Sequence, residues 1–243
     1  MFFTSIRCNA LQSLLPTFVP SVISPQTFQV RLPPAVAIFI QNTGEHLMLN
    51  RQSYFIREHV GFMKLSNTYD ILDPETQQQI GIAQEKPGTL IHLLRFAVDK
   101  KLLPTKLFVY SGSNSENESA LLFSLHRGIT LFRSRIDIRN REGQVMGWMK
   151  SKAFSLGGAF RVYDESDNEI ALVKGDWKGW NFRFLDKAER EIGSITKKWA
   201  GVGKELFTTA DNYMIALHDA SSPEKSALLL AAGLAVDTVY KER

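Results

Sequence analysis

The sequence predicts a mainly β protein: an antiparallel barrel of roughly twelve strands, closed around a buried hydrophobic helix near the C-terminus. Three observations support this fold. A two-residue hydrophobic period begins at residue 53, one hairpin pattern recurs four times, and a single wholly apolar helical run lies near the end of the chain. With 243 residues and 44% hydrophobic content, the chain is long enough to bury a large core as a single domain.

Short runs of β-branched and aromatic residues, bounded by Gly, Pro, Ser and Asn, predict the strands. Examples are Val60–Leu65, Lys106–Tyr110, Leu122–His126 and Ile129–Arg133. The whole chain holds about a dozen such runs, more than an open twisted sheet usually accommodates without curling. Closure of the sheet into a barrel is therefore expected.

A repeated hairpin gives the order of the strands. In each copy a strand ends in Asp or Asn, and a hydrophobic residue followed by Gly or Ala opens the return strand. Asp and Asn side chains close turns on their own backbone, so each copy predicts an antiparallel pair. The copies are Tyr69–Asp73 with Ile80-Gly81, Ile136–Asn140 with Met146-Gly147, Phe160–Asp164 with Ile170-Ala171, and Phe182–Asp186 with Ile192-Gly193.

Two segments depart from the strand period. Thr89 to Leu103 has an apolar stripe at helical spacing and stops at Pro104, which predicts an amphipathic helix. This helix either covers one end of the barrel or lies on a membrane.

The second segment starts near Ser222-Pro223-Glu224, and residues Ala227–Val236 are apolar on every side. Such a helix is buried in protein or lies in lipid. Ten residues reach ~15 Å, about half of a bilayer core, and Asp237 follows directly. We expect the helix inside the barrel, with membrane insertion as the alternative.

Residues 1–47 show neither hydrophobic period and contain Glu45, Arg7 and Arg31 as their only charged residues. They are predicted to be a disordered leader, a transit-like segment, or a misassigned start upstream of Met48. The barrel domain is then 48–243.

Composition and motifs limit the function. The 29 basic and 25 acidic residues, net +4, are interleaved along the chain, which favours anionic partners only weakly. Cys8 is the only cysteine, which excludes an internal disulfide and fits a reducing, cytoplasmic compartment. The histidines lack metal-ligand spacing, and Gly201-Val202-Gly203-Lys204 lacks the upstream glycine and the Ser or Thr of a phosphate loop. A protein without catalytic activity or cofactor is expected.

Basic and aromatic residues near the C-terminus are the candidate lipid contacts. Lysines attract anionic head groups, and indoles favour the membrane interface. Lys150 and Lys152 are possible additions to this group. The alternative is that the tryptophans pack in the barrel wall and the lysines are simply solvated. The candidates are Trp177, Lys178, Trp180, Lys197, Lys198, Trp199 and Lys204.

The succession WKGWNFRF, KKWAGVGKELFTTADNY and ALLLAAGLAV resembles the C-terminal half of the phospholipid scramblase family, which is related to the tubby C-terminal domain and to plant LURP-type proteins. The resemblance implies a barrel around one buried helix. It also implies phospholipid binding or translocation, with anionic lipid as the partner, at the inner face of a membrane. The alternative is a soluble tubby-like interaction module, while nucleic acid has only the net charge in its favour.

The family's calcium segment corresponds by resemblance to Thr209–Ala220. Thr209 stands at its first position, Asp211 matches the third, and Asp219 falls one place early. Calcium takes about six or more oxygen ligands, usually with several carboxylates. The departures predict that this chain has no functional calcium site.

Overall fold

The computed structural model describes residues 47–59, 66–88, 91, 103–128, 135–151, 159–176, 180–197 and 212–240. Within them the predicted fold is confirmed: twelve antiparallel strands form a closed barrel, and one long helix, α1, follows. The elements are β1 Ser53–Glu58, β2 Thr68–Leu72, β3 Gln79–Glu85, β4 Thr105–Ser111, β5 Leu121–Arg127, β6 Arg135–Asn140, β7 Val145–Ser151, β8 Phe160–Asp164, β9 Glu169–Asp176, β10 Asn181–Leu185, β11 Glu191–Thr196, β12 Tyr213–Leu217 and α1 Pro223–Tyr240.

Each strand pairs with its sequence neighbours, and β12 closes the barrel by pairing with β1, so that Tyr54 lies opposite Ile215. In this meander the connections alternate between the two ends of the barrel. We call the end that carries the connections β2–β3, β4–β5, β6–β7, β8–β9 and β10–β11 the hairpin end, and the opposite one the distal end.

The four hairpins predicted from the repeat are present, and three of them share one turn, while the β2–β3 turn is one residue longer. In the β8–β9 turn, Asp164 Oδ1 accepts a hydrogen bond of 2.8 Å from the backbone N–H of Asn168. The same bond joins Arg190 to Asp186 at 2.9 Å and Gln144 to Asn140 at 2.8 Å. In all four hairpins the second residue before the return strand has a positive φ, at Gln77, Gly143, Asp167 and Glu189.

Helix α1 runs inside the barrel, as predicted. Ala227 to Val236, with Gly233 as its one glycine, contributes nine residues to the main core cluster, and Leu229, Leu230 and Leu234 have no exposed surface. Burial of each leucine side chain stabilises the fold by about 1.5–3 kcal/mol. A Cβ on Gly233 would lie 2.4 Å from Ile215 Cδ1, so the glycine allows the helix to approach β12 closely.

Several predicted segments lie outside the described residues. They include the strands Val60–Leu65 and Ile129–Arg133, and the amphipathic helix from Thr89 to Leu103 apart from Ile91 and Leu103. The predicted leader does so as well, up to residue 46. Met48 and Leu49 are buried in the barrel core.

Candidate functional site

Two of the seven candidate lipid-contact residues, Trp180 and Lys197, are described by the structure. Trp180 lies directly before β10 and Lys197 directly after β11. These strands are paired, with Asn181 opposite Thr196, so both residues meet at the distal end. The other five, Trp177, Lys178, Lys198, Trp199 and Lys204, lie outside the described residues, as does Lys152.

Trp180 and Lys197 form a cation–π contact. Lys197 Nζ lies 4.3 Å from the centroid of the Trp180 ring, within the range of such interactions. Trp180 also packs on the core, with its ring 5.5 Å from that of Tyr213 and edge-on to Phe182. Both residues are half-buried. The indole therefore packs against the barrel and carries a cation at the rim, and its contact with lipid stays a prediction.

The backbone of Trp180 has a φ of 46°. This left-handed conformation costs a residue with a side chain roughly 1–2 kcal/mol. Such positions are found preferentially at functional sites, where the surrounding structure holds them in place. The strained backbone at Trp180 therefore marks this rim as a candidate functional site.

A buried polar pair lies inside the barrel towards the same end. Tyr69 on β2 donates a hydrogen bond of 2.6 Å to Asp237 Oδ2 on α1, and both residues are fully buried. Burial, together with the Asp237 carboxylate, raises the pKa of Tyr69 well above its usual value. The bond ties the C-terminal part of α1 to the barrel wall.

Acidic residues are concentrated at the hairpin end. Ranges 47–52, 73–78, 111–120, 141–144, 164–169, 186–191 and 218–225 contain five basic residues, Arg51, Arg141, Lys187, Arg190 and Lys225, and Arg139 lies at the hairpin end of β6. They contain fourteen acidic ones: Asp73, Glu75, Glu116, Glu118, Glu142, Asp164, Glu165, Asp167, Glu169, Asp186, Glu189, Glu191, Asp219 and Glu224.

The distal halves of the described strands and their flanks have the opposite balance. They carry ten basic residues: Arg57, Lys86, Lys106, Arg127, Arg135, Lys150, Arg161, Lys174, Arg183 and Lys197. Of the acids there, Glu58, Asp70, Glu85 and Asp237 are buried, and Asp137 and Asp176 remain at the surface. Among the described residues, charges that are interleaved in the sequence are thus largely segregated in space, a separation that the order of charges along the sequence does not show.

The calcium-segment match is described only from Asn212 onward. β12 occupies Tyr213–Leu217, so the described middle of the segment is a strand. Asp219 follows it at the hairpin end, where its carboxylate accepts a bond of 2.5 Å from Lys225 Nζ. This bond holds the pKa of Asp219 below its usual value. Thr209 and Asp211 lie outside the described residues, and the described part of the chain contains no cluster of three or more potential metal ligands.

A family model described as Scramblase matches residues 24–243. The chain belongs to the scramblase family. Membership supports a scramblase-like function and an interaction with phospholipid or membrane. The match includes residues 24–47, and the boundary at 48 stays a prediction. No curated protein and no solved structure matches this scramblase-family chain significantly. Among the described residues, no helix combines the length and hydropathy needed to cross a bilayer.

Proposed function

We propose that this scramblase-family protein binds anionic phospholipid at the cytoplasmic face of a membrane, and that it acts there in phospholipid binding or translocation. The observation that carries the proposal is the Trp180–Lys197 contact at the distal end. An indole that packs on the core and carries a lysine presents an amphipathic ring and a cation together, the combination suited to a headgroup layer.

Binding is peripheral in this proposal. α1 fills the interior of the barrel, and the bond from Tyr69 to Asp237 holds its C-terminal part in place. Moving α1 into lipid would open the barrel core and bring the Asp237 carboxyl group into hydrocarbon, at about 2.5–3.5 kcal/mol for a charged aspartate. The ligand therefore contacts the rim and the outer wall. Calcium is not required for this binding.

Flotation of the full chain with vesicles tests the proposal. Wild-type protein is expected to float with vesicles containing phosphatidylserine at low salt, and to be released at high salt because screening weakens the attraction. Lys197→Glu is expected to weaken this binding by at least about fivefold, since each basic residue near an anionic surface contributes ~1 kcal/mol. Lys187→Glu, at the hairpin end, is the matched control. Equal binding to neutral and anionic vesicles at all salt concentrations would contradict the proposal.

The soluble interaction module remains a second candidate, and one observation favours it: the barrel core is complete without lipid, since α1 is buried along Ala227–Val236. Absence of flotation under every condition would support this candidate. Translocation is a separate activity, tested by following a fluorescent phospholipid between the leaflets of vesicles that hold the protein, with and without calcium.

A further inference from the structure

The outer wall of β6, β7 and β8 carries a row of three basic residues. Arg135 lies directly opposite Lys150, and Lys150 directly opposite Arg161. Their neighbours Ile136, Met149 and Val162 are buried in the core, so the three basic side chains share the outer face. All three are at the distal ends of their strands. Like charges directly opposite each other destabilise an antiparallel pair, so this row needs a compensating interaction.

The row continues on the next two strands. Lys174 on β9 lies opposite Arg183 on β10, again on the outer face. Lys174 is two residues further towards the distal end than Leu172, the partner of Arg161, and Arg183 lies at the middle of its strand. We call Arg135, Lys150, Arg161, Lys174 and Arg183 the basic wall. Across its five strands the wall is about 19 Å wide at ~4.8 Å per strand spacing. It ends at β10, the strand that Trp180 directly precedes.

Only part of this charge is neutralised within the protein. Arg135 pairs with Asp137 at 2.7 Å, and Arg161 with Glu169 at 3.0 Å. The other three members of the wall are exposed and form no ion pair with any residue in the described part of the chain: Lys150, Lys174 and Arg183.

An aromatic pair lies beside the row. Trp148 stacks on Tyr163 with ring centroids 4.1 Å apart, and the Arg135 guanidinium lies 4.5 Å from the Trp148 centroid. Trp148 Nε1–H donates a bond of 2.7 Å to Asp167. Both rings are half-buried, as amphipathic aromatics at a membrane interface are. Because residues on both neighbouring strands already contact the Trp148 ring, it is not presented for stacking with nucleic-acid bases.

We infer that the basic wall is a second contact with an anionic phospholipid membrane, and that the outer side of β6 to β10 docks against the headgroups together with Trp180 and Lys197. The inference rests on the proposed function and adds the surface and its orientation. Phosphate groups of a flat bilayer supply the counter-ions that Lys150, Lys174 and Arg183 do not find within the described chain. The distal position of the wall also keeps the acidic hairpin end away from the anionic surface.

The test compares two charge reversals in the full chain. Lys150→Glu/Lys174→Glu changes the basic wall and leaves Trp180 and Lys197 intact. Lys187→Glu/Arg190→Glu changes the net charge by the same amount at the hairpin end. Arg190 is 80% exposed in its ion pair with Asp186, and such pairs contribute little to stability. Circular dichroism and thermal unfolding of both variants verify that the barrel is folded.

The wall variant is expected to bind phosphatidylserine vesicles at least about 25-fold more weakly than wild type, from a factor of about five for each lysine removed. The control is expected to bind as tightly as wild type or more tightly. Equal binding by wild type and wall variant would overturn the inference but leave the proposed function standing. Failure of the wild type to bind would overturn both. Loss of duplex DNA binding with unchanged vesicle binding would assign the wall to nucleic acid and overturn the inference.

Discussion

At the scale of single residues, the contact between Tyr69 and Asp237 is the polar interaction that fixes α1 within the barrel. The two side chains are 168 residues apart in the sequence and are joined by a hydrogen bond of 2.6 Å. A hydrogen bond to a carboxyl group in a buried site is stronger than one at the surface, and a partner left behind after its removal is destabilising. This makes a single hydroxyl group a measurable part of the stability of the fold.

Tyr69→Phe removes that hydroxyl and keeps the ring. We expect the free energy of unfolding to fall by about 1–3 kcal/mol, because Asp237 then loses a buried donor. Urea unfolding, followed by circular dichroism, measures the change. Tyr163→Phe on the outer wall is the control and should change stability by less than about 0.5 kcal/mol. Equal stability of Tyr69→Phe and wild type would show that the bond does not hold the helix.

At the scale of elements, the repeated hairpin turn makes the stability of the fold depend on pH. The Asp side chains that accept hydrogen bonds in these turns have lowered pKa values. Hydrogen bonds from Arg190, first that of its backbone, hold the pKa of Asp186 below its usual value. Burial opposes the shift at Asp164, but the bonds from Asn168 and Ser166 prevail and lower its pKa as well. Asn140 makes the same turn with a neutral amide.

Asp164→Asn/Asp186→Asn should therefore keep the turns while weakening their dependence on pH. A carboxylate with a lowered pKa in the folded state contributes stability above its unfolded pKa of about 3.9, and loses it as the pH falls through the folded value. We expect wild-type stability to decrease below about pH 4, and the decrease to be smaller in the variant. Urea unfolding between neutral and acidic pH measures this.

Glu142→Gln/Glu165→Gln is the matched control, because it removes two charges from the same end without removing a turn acceptor. Its acid dependence should follow that of the wild type more closely. An equal decrease in stability at acidic pH for the Asp variant and the wild type would contradict the role given to these turns.

The elements also show which features the sequence could predict. The hairpins were predictable because their signals lie within about ten residues, and each turn fixes a register. In the β6–β7 hairpin, Ile138 lies opposite Gly147, so counting outward along both strands brings Arg135 opposite Lys150. The sequence could therefore have predicted this part of the basic wall. The pairing of Lys150 with Arg161 was not, because the connection between β7 and β8 carries no turn signal that fixes its length.

The packing of the barrel explains why the repeat has a small residue, Gly or Ala, near the start of each return strand. A Cβ on Gly147 would lie 2.5 Å from both Leu228 Cδ2 on α1 and the backbone oxygen of Tyr163. The glycine thus leaves space for the buried helix as well as for the neighbouring strand. The sequence does not show that this strand contributes a small residue to the contact with the helix.

At the scale of the whole molecule, the meander separates acidic and basic residues that alternate along the sequence and places most of them at opposite ends of the barrel. Successive connections alternate between the two ends, so the acidic connections and most of the basic strand ends lie on opposite sides of the barrel, while Arg161 and Glu169 still pair across this division at 3.0 Å. A net charge of +4 understates the basic character of the distal end for this reason. A charge distribution of this kind orients a protein as it approaches an anionic surface.

The most direct test of the account is to measure which end of the barrel meets the membrane. Cys8→Ser removes the only cysteine, and a single cysteine can then be placed at Asn181 or at Ala188. Both positions are exposed and neutral, at the distal and hairpin ends of neighbouring segments, and β10 alone separates Asn181 from Leu185 by about 13 Å. A fluorophore at each site is mixed with phosphatidylserine vesicles that carry a headgroup quencher. The account predicts strong quenching at position 181 and little at 188, and equal quenching, or stronger quenching at 188, would contradict it.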